Sequence, residues 1–112
     1  MTLKEIFEKV NLTAPIEQRR FFNYFEDSVI ELISLYYSYV LIDKTEEFKA
    51  PESLDEENPV RPLYTDALVD NILFKAGQGE AYKSEFLRKS RSAWLKYWND
   101  DAKGRRLKPK IW

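Results

Sequence analysis

Residues 14–42 read APIEQRRFFNYFEDSVIELISLYYSYVLI, and the folding of this stretch decides the architecture of the chain. Taken as one helix, it is about 40 Å long at ~1.5 Å rise per residue. Phe21, Phe22, Phe25, Val29, Leu32, Ile33, Tyr36, Tyr39 and Val40 then fall on one uncharged arc at helical period. The second half is more apolar still. From Val29 to Ile42 only Glu31, Ser34 and Ser38 are polar, on one narrow stripe. Ile30, Tyr37 and Leu41 add a second apolar edge, and Tyr24, Leu35 and Ile42 a third. A helix apolar on nearly every side has to be enclosed, either by the rest of this chain or by another subunit.

Upstream, Thr2-Leu3-Lys4-Glu5 matches a capping box, and Leu3, Ile6, Phe7 and Val10 make an apolar face. The spacing predicts a short helix to Lys9 or Val10, stopped by Asn11. Thr13 then caps the long helix, with Pro15 tolerated in its first turn. Met1–Val10 is amphipathic and carries acids, so it does not read as a signal peptide.

Downstream, Asp43 to Pro59 carries Asp43, Glu46, Glu47, Glu52, Asp55, Glu56 and Glu57 against Lys44 and Lys49. Pro51 and Pro59 break any helix. The expectation is an acidic interhelical loop, with short extended pieces near Leu41–Ile42 and Phe48. Its length leaves two roles open: a solvated connector, or a loop that meets a partner through Phe48, Leu54, Glu56 and Glu57.

Pro62 suits the first turn of a third helix. Leu63, Ala67 and Phe74 line one side of it, and Leu68, Val69, Ile72 and Ala76 the other, which predicts a central position. Gly77-Gln78-Gly79 stops it. A fourth helix starts at Glu80 or Ala81 and is expected to run to about Asn99. Tyr82, Phe86, Leu87, Ser90, Ala93, Trp94, Tyr97 and Trp98 share one half of its wheel. Leu95 alone interrupts the polar half, which predicts cover by another chain. The short glycine-bounded turn makes helices three and four an antiparallel hairpin. From Asp100 the chain reads as an extended basic tail with Lys103, Arg105, Arg106, Lys108 and Lys110, closed by Ile111-Trp112, a pair that favours burial.

Composition excludes several classes of function. Cysteine and histidine are absent, so there is no disulfide framework, no thiolate nucleophile and no Ser–His pair. The lack of cysteine fits an intracellular protein. With 18 basic and 19 acidic residues, the net charge of -1 gives no general drive toward nucleic acid or anionic membranes. No run reaches the roughly 18 apolar residues of a membrane span. Asp66 and Asp70, one helical turn apart, are the remaining carboxylate pair with metal or acid–base potential. The stronger account of Asp66 is its place in a helix's first turn, where the dipole favours an acid. Gly77-Gln78-Gly79 lacks the Lys-Ser/Thr of a phosphate loop. The expectation is a non-enzymatic protein without cofactor or metal. The separated acidic loop and basic tail can meet head to tail between identical subunits, or screen each other within one.

The segment Pro62-Leu63-Tyr64-Thr65-Asp66-Ala67-Leu68-Val69, then Gly77-Gln78-Gly79-Glu80, then Tyr82, Glu85-Phe86-Leu87 and Ala93-Trp94 resembles the head–tail connector (adaptor) proteins of tailed bacteriophages. Met1-Thr2-Leu3 and the aromatic-rich Phe21-Phe22-Asn23-Tyr24-Phe25 are similar too. The resemblance implies a structural virion subunit of the neck, assembled in the host cytoplasm. Such subunits form a ring, a dodecamer in the family, beneath the portal protein and against the next neck or tail-completion protein. DNA passes through the lumen without sequence-specific binding.

The sequence therefore predicts an all-α four-helix bundle with one long helix, the acidic loop and the basic tail. Residues 1–100 are expected to form the helical domain and 101–112 a docking tail. The expected contacts to portal or neighbour are Leu95, Lys103, Arg105, Arg106, Lys108, Lys110, Ile111 and Trp112. The alternative is a helical interaction module that binds nucleic acid non-specifically through Arg88, Arg91, Arg105 and Arg106.

Overall fold

The first turn forms where the sequence places it. Glu5 accepts the Thr2 backbone N–H at 3.1 Å, completing the capping box of α1 (Leu3–Thr13). The computed structural model describes residues 1–43 and 47–104, with four α-helices among them and no strand longer than an isolated bridge. After α1 come α2 (Gln18–Tyr36), a 3-10 turn (Tyr37–Tyr39), a second 3-10 turn (Pro62–Tyr64), α3 (Thr65–Lys75) and α4 (Glu80–Gly104). The fold is all-α.

Helix α1 runs past Asn11, contrary to expectation. The Asn11 amide donates to the Phe7 carbonyl at 2.7 Å, and its side-chain oxygen accepts the Ile16 N–H at 3.0 Å. Asn11 thus closes the link to α2 from inside α1, and Glu17, not Thr13, is the α2 N-cap. The long stretch is also shorter than predicted. It begins at Gln18 and breaks at Tyr37, whose φ of 55° and ψ of -129° leave the helical region. Its apolar pattern continues through the break because the chain beyond is still core. Val40 is fully buried, and Leu41 and Val60 form an antiparallel bridge.

The acidic loop returns along α1. Leu3 N–H donates to the Glu56 carbonyl at 3.0 Å, Lys4 N–H to Leu54 at 2.9 Å, and Asn58 N–H to Met1 at 2.9 Å. Loop carbonyls thereby satisfy helix-start donors that have no partner inside the helix. Within the loop, Glu56 accepts the backbone N–H groups of Glu52 and Ser53 at 2.7 and 2.8 Å, which fixes a tight turn.

Helix α3 is the central element, packed on α1, α2 and α4. Ala67, Leu68, Ile72 and Leu73 are buried there with Phe21, Phe25, Val29 and Leu32 of α2 and Leu3, Ile6 and Val10 of α1. Phe21 meets Phe7 edge to face at 5.1 Å and lies 5.9 Å from Phe25, geometries that aromatic rings favour. Gly77 (φ 86°) and Gly79 (φ 121°) turn the chain after α3, with Gln78 N–H returning to the Leu73 carbonyl at 3.1 Å. α3 and α4 then run antiparallel, pairing Asp70 with Lys89 and Phe74 with Lys83. α4 extends through Gly104, past the end expected near Asn99. With 25 residues, α4 and not α2 is the longest helix.

Candidate interaction surface

A polar centre joins α2, α3 and α4. Asn71 is fully buried and donates its amide to Ser28 at 2.9 Å and to Glu31. Lys83 Nζ lies 2.9 Å from Glu31 Oε1, and Lys75 Nζ lies 3.2 Å from Glu31 Oε2. Lys83 also sits 4.8 Å above the Phe86 ring, a cation–π contact. Burial pushes the Glu31 carboxyl up, but hydrogen bonds from Lys83, Asn71 and Lys75 outweigh it and hold the group below its ordinary value. Glu31 and Asn71 were not singled out as a pair from the sequence. Glu31 reads as an acid on the polar side of the long helix, and Asn71 sits beside Asp70 between two apolar runs.

One turn further on, Tyr36 is sandwiched between Tyr64 and Trp94, with centroid separations of 5.8 and 5.7 Å. Its hydroxyl is 3.2 Å from that of buried Ser90. The Glu31–Lys83 and Tyr36–Ser90 contacts advance together along both helices, so α2 and α4 run parallel here, joined through their long side chains over α3. Leu35 follows Glu31 by one turn and Leu87 follows Lys83 by one turn. They therefore flank this seam, and they are 48% and 47% exposed. Leu87 was expected on the inner half of its helix. Leu95 is also exposed, as are Ile30, Tyr37 and Ile42. Large apolar side chains are thus exposed at these positions on α2, on α4 and in the segment after α2.

The basic face of the α3–α4 hairpin is partly neutralised within the chain. Arg88 pairs with Glu85 at 2.7 Å, and Lys89 with Asp70 at 2.7 Å. The Asp70 contact raises the Lys89 ammonium above its ordinary value against the opposing effect of burial. Asp66 is exposed, and Asp70 is turned toward Lys89. Among the described residues no group of three or more acidic, histidine or cysteine side chains is placed to hold a metal ion. No helix among them is long and apolar enough to cross a membrane.

Of the expected loop contacts, Phe48 and Leu54 pack partly buried against the core. Glu56 and Glu57 are exposed, with Glu57 3.2 Å from the Met1 ammonium. Between this loop and the start of α1 lies an open cleft of about 520 Å³. Fully buried Leu3 and Phe25 and partly buried Leu41 and Phe48 line its floor. Asp43, Glu47, Glu56 and Glu57, with Lys49, border it. Arg105, Arg106, Lys108, Lys110, Ile111 and Trp112 lie outside the described residues, as does the side chain of Lys103. Comparisons of the chain with family models, with curated proteins and with solved structures returned no match.

Proposed function

We propose that this chain is a structural assembly subunit, a head–tail connector of a tailed-bacteriophage neck that forms a ring beneath the portal. Its helices would be the rigid parts of a four-helix unit, and its outward apolar positions the places where copies or portal close over it. DNA would pass through the lumen without base-specific contacts. The sequence resemblance across Pro62–Trp94 supports this identity, and the all-α fold is compatible with it. The observation that carries the assembly role is the half-exposed pair Leu35 and Leu87 beside an ordered seam, with Leu95 two turns beyond Leu87. Exposed large apolar side chains that gather into one contiguous patch mark surfaces that partners cover.

The nucleic-acid alternative draws less support, because Arg88 and Lys89 are already engaged by Glu85 and Asp70. Mass by light scattering, alone and mixed with a portal protein, tests the proposal. The expected result is a discrete complex with portal that Leu95→Asp weakens. A chain that stays monomeric with portal, and binds DNA in a salt-dependent way, would refute it.

A further inference from the structure

The cleft beside α1 and the segment 105–112 are chemically matched, and we propose that each copy's cleft takes residues 105–112 of a second copy. The proposal deepens the assembly role above and rests on it. The cleft joins an apolar floor to a rim of four carboxylates against Lys49. Residues 105–112 read RRLKPKIW, with four cations, no acid and an Ile-Trp pair. Such a segment can place its aromatic on the floor while its cations meet the rim, which gives both affinity and register.

Two features of the fold favour a second copy over the same one. Among the described residues, none that lines the cleft comes from α3 or α4. Helix α4, moreover, continues from Lys96, where it shares a surface pocket with Leu63, to Gly104. Those eight further residues carry the chain on the order of 12 Å onward at ~1.5 Å each. Phe25, which lines the cleft, lies three turns before Tyr36 on α2, and α2 runs parallel to α4, so a chain that continues past Trp94 and Lys96 moves away from Phe25. A neighbour's cleft lies under no such constraint. The Glu56–Glu57 side of the rim is also pre-shaped, because Glu56 is held by the N–H groups of Glu52 and Ser53 and the loop backbone is bonded to α1. Little ordering cost then falls on the receiving side.

The test uses the full chain as an equal mixture of ¹⁴N- and ¹⁵N-labelled copies at high concentration, treated with a carbodiimide. The reagent condenses a carboxylate with an amine, forming an amide with loss of water. The expected products join Lys108 or Lys110 to exposed Glu47, with light–heavy pairs as frequent as the two same-label kinds together. Trp112→Ala, which keeps every amine, is expected to lower their yield about fivefold or more, as loss of an aromatic anchor does. Same-label pairs alone would mean that the segment returns to its own cleft, and would overturn the proposal. Oligomers by light scattering without these products would overturn it too, while leaving the assembly role standing. A monomer without them would remove both.

Discussion

Lys83 Nζ lies 2.9 Å from Glu31 Oε1, and this contact ties the start of α4 to the middle of α2. The same carboxylate accepts from Asn71 of α3, which is fully buried. One side chain therefore links three helices. Removing it leaves a buried amide short of an acceptor and two lysines without their counter-ion. Glu31→Ala is expected to cost about 1–3 kcal/mol, the usual penalty for orphaned buried polar groups. Urea unfolding checks this, and an unchanged midpoint would show that the network contributes nothing.

The same group sets an acid limit. The folded Glu31 carboxyl lies below its ordinary value of 4.5, so the unfolded chain binds its proton more readily. Its contribution is fully present above about pH 4.5 and is lost as pH falls through the lower folded value. Stability measured from pH 6 down to pH 3 is expected to fall less steeply in Glu31→Gln than in the parent chain. Parallel curves would count against the network. Lys89 acts at the other extreme. Its folded value is raised above 10.5, so its contribution holds below that pH and disappears as the group deprotonates above it.

Tyr37 holds a φ of 55° with its side chain 76% exposed. Non-glycine residues in sparsely populated backbone regions carry strain of roughly 1–3 kcal/mol. Glycine removes that strain but adds backbone entropy to the unfolded chain, about 0.5–1 kcal/mol. Tyr37→Gly is therefore expected to leave stability unchanged or raise it by up to about 2 kcal/mol, because so exposed a ring gives up little contact. Thermal denaturation decides. A clear loss of stability would mean that the ring's contacts outweigh the strain.

Leu35 and Leu87 flank the α2–α4 seam with about half of each residue open. Changing both to Asp is expected to cost less than about 2 kcal/mol in the isolated chain, in the range of partly exposed apolar sites. The same pair of changes should abolish association with portal or sister copies. Circular dichroism and light scattering separate the two effects. Full association by the folded double variant would place the interface elsewhere.

Much of the fold was legible because burial on one helix face writes a period into the sequence. The capping box at Thr2 and Glu5, the glycine stop after α3 and the antiparallel hairpin all follow from local rules and are all present. The break at Tyr37 was not legible. Its neighbours Tyr36 and Val40 keep contributing to the core on either side of the break, so the apolar pattern runs on without a signal. The reach of α1 past Asn11 was hidden for a related reason. Asparagine usually ends helices by bonding to nearby backbone, and here it does so from within the last turns. The helical course of residues 100–104 likewise went unread, because their polar composition resembles a tail.

By itself, the sequence determined an all-α chain and the hairpin of α3 and α4. Each depends on interactions within a few residues or on simple periodicity. Only the tertiary structure decided that Glu31, Asn71, Lys75 and Lys83 share one centre, that loop carbonyls cap α1, and that Leu35 and Leu87 stand open beside a common seam. Those groupings join residues 40 or more positions apart. Their partners are chosen by the packing of whole helices, which no local pattern encodes.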